Sequence, residues 1–162
     1  MRGFLNLGQF ALGVAFLLLG LCVYLFDRNF VPFLGVPADV YIDVSLDLGV
    51  VSGFLPSLLH PLSYSLLCAS AVRAGRRNTM IICGAWAGIH GLCELAQAET
   101  LYPWLSMVFE AAGRDQGFVR YLDTYCLLGV FDFRDLIAAA AGCVLAWFLI
   151  GALDDDRRKR NA

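Results

Sequence analysis

The sequence predicts an all-α polytopic membrane protein: a four-transmembrane-helix bundle with both termini cytoplasmic and an outer interfacial or re-entrant segment. Three observations predict this fold. Hydrophobic residues make up 59% and charged residues 16% of the chain, whereas a soluble domain holds roughly 45–50% apolar and about 25% charged residues. Four segments have the length and apolar character that a bilayer crossing of about 20 residues requires. The charged connections between these segments alternate in sign along the chain.

The first two predicted spans form the N-terminal half of the bundle. The first covers residues 4–26 and lacks a small-residue cleavage site, so we expect an anchor and not a signal peptide. The second covers residues 48–72 and contains Pro56 and Pro61. Because proline removes a backbone donor, these two residues predict a kinked or locally opened helix.

The last two predicted spans cover residues 79–98 and 136–153. Both carry small residues at every fourth position, which places them on one helix face. Such faces let helix backbones approach each other in lipid, so we expect close helix contacts there. The residues concerned are Gly84 and Gly88 in the third span, and Ala138, Gly142 and Ala146 in the fourth.

The segment 99–134 joins the third and fourth spans and completes a single membrane domain over residues 1–162. The aromatic residues of the stretch 102–104 are typical of the point at which a helix leaves the bilayer. Residues 113–117 predict a turn, and the apolar residues after it include Arg120 and Asp123. We therefore expect this segment to lie in the interface or to re-enter it, and to cover the outer face of the bundle.

The distribution of charge predicts the orientation. Basic residues cluster at Arg2, between the second and third spans, and in the tail 157–160. The connection 27–47 carries four acidic residues against one arginine, and residues 99–135 carry six against three. The positive-inside rule therefore puts both termini in the cytoplasm of a bacterial inner membrane. The net charge of −2 leaves no basic surface for nucleic acid.

Ionisable side chains inside the spans indicate a candidate site, because they are costly in lipid and usually functional. His90, Glu94 and Gln97 are spaced i, i+4, i+7 late in the third span, which predicts one shared helix face. His60 lies near the middle of the second span, at greater depth. Glu94 is the decisive residue, because an embedded carboxylate must find a partner or bind a proton.

The fourth span begins with two aspartates that flank an arginine: Asp132, Arg134 and Asp135. A carboxylate at a helix N-terminus usually caps it, and we expect one of the two aspartates to do so. The topology brings this sequence to the same depth as Glu94 and Gln97. We therefore expect a polar pocket at the outer leaflet for a cation, a proton or a polar lipid head group.

These residues resemble the VanZ-like membrane proteins. The resemblance covers residues 48–142: a histidine in the second span (His60), Glu-x-x-Gln late in the third (Glu94 and Gln97), and an Asp-containing loop entering a small-residue fourth span (Asp135). It implies a four-helix bacterial inner-membrane protein associated with lowered susceptibility to glycopeptide antibiotics such as teicoplanin. It also carries these four residues over as the site.

Three functions follow as hypotheses. The first is binding or modification of an envelope lipid or lipid-linked substrate. Glu94 or Asp135 would act as general base or metal ligand, with His60 or His90 as proton partner. The residues expected to contact the substrate are Gln97, Asp132, His90 and Arg134. The second is a non-catalytic role as a homo-oligomer or as a subunit of a larger membrane complex. The third is a small b-type cytochrome that holds haem between His60 and His90. The six cysteines are spread singly without metal-site spacing, so we interpret them as small hydrophobes.

Overall fold

The computed structural model describes residues 5–27, 49–72 and 76–161, and in these ranges the chain is all-helical, without strands. Six helices occur there: α1 (Leu7–Asp27), α2 (Val50–Val72), α3 (Arg76–Ala96), α4 (Tyr102–Ala111), α5 (Gly117–Leu128) and α6 (Phe133–Asn161). Three of the described helices, α2, α3 and α6, are long and apolar enough to cross a membrane. The all-α class is therefore confirmed.

The first predicted span corresponds to α1, whose described apolar stretch, Leu7–Val23, is shorter than that of the three long helices. α1 lies along α2 and packs closely against it. At Gly13 an added Cβ would come within 2.8 Å of the Leu67 side chain, and at Gly20 it would lie 3.5 Å from Nε2 of His60. Glycine at these two positions lets α1 approach α2 in the middle of the bundle.

α2 is the central helix and contacts α1, α3 and α6. Pro56 and Pro61 are both fully buried, and the helix runs through both of them without interruption. The predicted local opening is therefore not observed, because packing against neighbouring helices holds α2 together across its missing donors. The core consists of apolar residues from three helices: Leu59, Leu62, Leu66, Ala69, Cys83, Cys143, Ala146 and Ile150.

α3 and α6 run antiparallel. Near one end a Cβ at Gly91 would lie 3.9 Å from Leu136, and near the other the guanidinium of Arg76 lies 5.2 Å from the ring centre of Trp147. α6 has 29 residues and continues well beyond the predicted end at residue 153, because the charged residues that follow favour a helix as readily as a loop. Its C-terminal end and the exposed Arg76 and Arg77 therefore lie on the same side of the bundle.

The segment after α3 forms a helical hairpin of α4 and α5, which pack on each other. The predicted turn is confirmed between them. Gly113 has a φ of 85° and Gly117 a φ of 20°, values at which a residue with a side chain would be strained. The acidic connection 28–48 and the basic residues Arg2 and Arg73, on which part of the predicted orientation depends, lie outside the described residues.

Candidate functional site

The C-terminal end of α3 carries the central predicted site residue. His90 and Glu94 are both half-buried and lie one turn apart on α3. The Oε2 atom of Glu94 is completely enclosed by protein. Gln97, in contrast, lies just beyond the helix. Its backbone N–H donates to the carbonyl oxygen of Glu94 at 3.0 Å. Gln97 therefore lies one residue past the end of α3 at Ala96, in the turn that continues the helix.

The loop after α5 lies against this end of α3. The side chain of Gln97 packs so closely on Gly129 that a Cβ at that position would overlap its amide carbon. This contact joins the loop after α5 to the turn that follows Glu94.

The remaining predicted site residues lie at the start of α6 and differ in their exposure. The Oδ1 atom of Asp132 accepts the N–H of Arg134 at 2.8 Å, so Asp132 is the predicted helix cap. Asp132 and Arg134 are exposed, whereas Asp135 is half-buried. Asp135 therefore lies nearer the interior than the other two, beside Leu136, which contacts α3 at Gly91.

His60 belongs to a different part of the bundle. It stacks on Tyr64 at 6.1 Å between ring centres, and Tyr64 stacks on Trp86 of α3 at 4.6 Å. Tyr64 follows His60 by one turn of α2, and Trp86 precedes His90 by one turn of α3, so the Tyr64–Trp86 stack joins the two helices one turn away from both histidines. A haem held between His60 and His90 stays a prediction.

The strongest polar cluster of the hairpin surrounds Arg114. Its Nε lies 2.9 Å from Oδ2 of Asp123, and its Nη2 donates to Oδ1 of Asp123 at 3.1 Å and to the Tyr102 hydroxyl at 3.3 Å. The Tyr102 hydroxyl also donates to Asp123 at 3.0 Å, and Nη1 of Arg114 reaches Glu110 at 3.3 Å. Asp123 is buried, so this cluster holds α5 to α4 from the inside of the hairpin.

These contacts change the acidity of the hairpin residues. The hydrogen bond to Asp123 raises the pKa of Arg114. Partial burial and, after it, the hydrogen bond to Asp123 raise the pKa of Tyr102. Both groups therefore keep their protons more firmly in the closed hairpin than in an open one. In the sequence, Asp123 stands out only as a charge in an apolar stretch, and the one signal of its partner is the opposite charge of Arg114 in the adjoining turn.

A second polar cluster lies at the opposite end of the bundle and was not predicted. Gln9 of α1, with 2% of its surface exposed, donates to Oδ1 of Asp154 at 3.0 Å, and Asn6 donates to the same oxygen at 3.4 Å. The N–H of Asn6 also donates to the carbonyl oxygen of Ser70 at 3.1 Å. This cluster connects the start of α1 to the ends of α2 and α6.

No protein family, no curated protein and no solved structure matches the chain. The function is therefore argued from the chemistry of the site. Among the described residues, no group of three or more His, Cys, Asp or Glu side chains is arranged to hold a metal ion. The arrangement at the end of α3 offers instead a carboxylate and an amide, Glu94 and Gln97, which bind hydroxyl and ammonium donors.

Proposed function

We propose that the chain is a VanZ-like protein of the bacterial inner membrane that binds the polar head group of an envelope lipid or lipid-linked substrate at the outer leaflet, and that it lowers susceptibility to glycopeptide antibiotics. The observation that supports this most directly is the enclosure of Glu94. Its Oε2 atom is fully buried at the C-terminal end of α3, where the loop at Gly129 packs against Gln97. An intramembrane carboxylate in such a place is characteristic of a functional site.

The proposal includes a four-helix bundle with both termini in the cytoplasm, in which α1 is the fourth span. Its close contact with α2 supports this, as do Arg76 and Arg77, which are exposed at the start of α3. Fusion reporters test the orientation. We expect a fluorescent protein fused after Ala162 to be active in the cytoplasm and alkaline phosphatase inserted at Asp115 to be active outside. The reverse pattern would contradict the outer placement of Glu94.

The chemistry of the ligand follows from the residues at this end of the bundle. Glu94 and Asp135 accept hydrogen bonds from sugar hydroxyls or an ammonium group, and the amide of Gln97 both donates and accepts. Arg134, exposed at the start of α6, is suited to a phosphate at the rim. A head group that combines hydroxyls with phosphate satisfies both. If chemistry follows binding, Glu94 or Asp135 acts as the general base.

The substitution Glu94→Gln tests the proposal, with Glu99→Gln as its matched control. Both remove one acidic group, but Glu99 is exposed, outside α3. In a strain that lacks the native gene, we expect the Glu94→Gln protein to give the teicoplanin susceptibility of the empty strain and Glu99→Gln to restore the resistance of the native protein. Equal expression and equal elution in size exclusion establish that both variants fold. Full resistance with Glu94→Gln would contradict the proposal.

A second candidate function is that of an accessory subunit in a larger membrane complex, and one observation favours it. Gly84 and Gly88 of α3 are exposed, and no described atom lies within 4 Å of a Cβ added at either. Such a face accommodates a partner helix. Purification in mild detergent tests this: we expect the native protein to elute with a partner or a second copy and Gly84→Leu to elute as a single chain. A single chain in both cases would contradict it.

A further inference from the structure

One side of α4 packs against α5, and the chain covers no other side of this helix. Tyr102, Leu105 and Phe109 are spaced i, i+3, i+7 and are half-buried, and the Tyr102 hydroxyl donates to Asp123 of α5 at 3.0 Å. Among the described helices, α5 is the one that packs extensively on α4. No residue of α4 is buried, so α4 contributes nothing to the core of the bundle.

The opposite side of α4 is an exposed apolar strip formed by Leu101, Trp104, Met107, Val108 and Ala111. Trp104 exposes 68% of its surface and Val108 60%. At 3.6 residues per turn the strip is about 120° wide and includes no polar residue, as in a helix that buries one face. A helix of 10 residues is too short to persist in water by itself, so an apolar partner must cover the strip.

The position of α4 indicates that this partner is lipid. Helix α3 has 21 residues and a length of about 32 Å, close to the thickness of about 30 Å of the hydrocarbon layer. When α3 spans the bilayer, its C-terminal end therefore lies at a boundary of that layer. The N–H of Ala98 donates to Leu95 at 3.0 Å, and the N–H of Tyr102 donates to Ala98 at 3.1 Å. These turns begin α4 close to the same boundary.

The strip also continues an exposed apolar surface of α3. Leu92 and Leu95, in the last two turns of α3, expose 68% and 44% of their surfaces, and α3 buries little of its apolar length within the chain. On a helix that crosses a membrane, acyl chains cover such residues. Trp104 follows on the strip, and tryptophan is typical of the depth at which acyl chains meet head groups.

The charged side chains of the hairpin lie away from the strip. Arg114 pairs with Asp123 and Glu110, and the exposed side of α5 carries Arg120 and Thr124, one turn apart, beside Leu127. A helical pair with an uninterrupted apolar face on one helix and charges on the other suits a bilayer surface, with the apolar face toward the acyl chains.

We propose that the strip of α4 lies among the acyl chains just below the head groups, and that α5 lies above it on the water side. The hairpin is then held at the membrane by lipid, beside the end of α3 that carries Glu94. This rests on the proposed function only in that the leaflet concerned is the outer one. It adds that a lipid-linked substrate reaches Glu94 past a helix seated in the same lipid layer.

Quenching of tryptophan fluorescence tests the position of the strip in the full chain, reconstituted in phosphatidylcholine vesicles. The difference in emission between the native protein and Trp104→Phe is the contribution of Trp104. We expect lipid brominated on its acyl chains to remove most of this contribution and iodide in the water to remove little of it. Stronger quenching by iodide would overturn the proposal. Quenching by neither would also overturn it, because protein, such as a second copy of the chain, would then cover the strip.

Two matched variants test the contrast between α4 and α5. In the Trp104→Phe protein, Val108→Trp and Thr124→Trp each place an indole at an exposed position, where the larger side chain meets no packed neighbour. We expect brominated lipid to quench the added emission of Val108→Trp more than iodide does, and the reverse for Thr124→Trp. Equal behaviour of the two variants would contradict the orientation of the hairpin.

These results are independent of the resistance assay. If brominated lipid quenches Trp104 while Glu94→Gln keeps full resistance, the lipid contact stands and the proposed function fails. If Trp104 faces water while Glu94→Gln abolishes resistance, the proposed function stands and the lipid contact fails.

Discussion

The small-residue faces of α3 and α6 have the same sequence signature and opposite surroundings. On α6, Gly142 is buried, and a Cβ there would overlap the carbonyl oxygen of Leu58 and lie 3.2 Å from Pro61. On α3, Gly84 and Gly88 are exposed, with no described atom within 4 Å of an added Cβ. Both faces satisfy the same spacing rule. The difference is that α6 lies against the central helix α2, whereas α3 turns its glycine face away from the bundle.

This comparison shows what the spacing of small residues does and does not predict. It predicts a helix surface that another backbone can approach. It does not predict which helix approaches, because that depends on how the whole bundle is arranged. The face of α6 is already used within the chain, by α2. The face of α3 is available to a second chain, and this is the physical basis of the second candidate function.

The largest loss of stability is expected from a substitution at Gly142, on the face of α6 that packs against α2. Gly142→Ala forces α2 and α6 apart at the Leu58 carbonyl group, and overpacking of this kind costs about 1–3 kcal/mol. Gly151→Ala is the matched control, because it lies on the same helix with no described atom within 4 Å of its added Cβ. Unfolding in detergent by increasing dodecyl sulfate measures both. If Gly142→Ala is as stable as Gly151→Ala, the packed face of α6 is not a close helix contact.

A smaller loss of stability is expected from substitutions in the polar cluster that joins α1 to α6. Gln9→Ala removes the 3.0 Å hydrogen bond to Asp154, and a typical hydrogen bond contributes about 0.5–1.5 kcal/mol to stability. Asn6→Ala removes the longer bond of 3.4 Å and should cost less. The same unfolding assay ranks the two variants. A greater loss with Asn6→Ala would show that the contact through Gln9 does not connect the two helices.

A local effect is expected in the hairpin at high pH. Because Tyr102 has a raised pKa in the closed hairpin, closing is fully favourable below the ordinary tyrosine pKa of about 10 and weakens as the pH rises through the higher value of the folded state. In a titration followed by tyrosinate absorbance, Tyr102→Phe should therefore have one late-titrating group fewer than the native protein. Faster amide hydrogen exchange in α4 and α5 over the same pH range checks the opening. Identical late titration in both proteins would contradict it.

The smallest effect on stability is expected on the exposed glycine face of α3, which carries Gly84 and Gly88. Gly84→Ala places a methyl group where no described atom lies within 4 Å, and it removes a flexible residue from a helix. We expect a single chain to become more stable by up to about 1 kcal/mol. The dodecyl sulfate assay at low protein concentration measures this. A clear loss of stability in a single chain would show that the face of α3 is covered, and it would remove the contrast with α6.

Composition and the length of the apolar segments were sufficient to predict the all-α class and the long helices. Long apolar segments predicted the helices that contain Pro61, Glu94 and Gly142, and the glycines of residues 113–117 predicted the turn of the hairpin. A helix cap was expected at either Asp132 or Asp135, because capping depends on neighbours in the sequence, and Asp132 forms it. These features are local, so the sequence carries them directly.

The features that the sequence analysis missed depend on contacts between distant parts of the chain. Gln9 meets Asp154 across 145 positions, and neither residue has a local pattern that marks the other. The position of Gln97 beyond α3 depends on where the helix ends, which a run of good helix formers leaves open. Such contacts follow from side-chain packing over the whole bundle.

The length of α6 has a consequence for its charged tail. Its 29 residues make a rod of about 43 Å, whereas the hydrocarbon layer is about 30 Å thick. The excess of about 13 Å corresponds to about nine residues, close to the length of the charged stretch that follows Leu153. The apolar part of the helix therefore matches the thickness of a hydrocarbon layer, and the charged end can lie entirely in water.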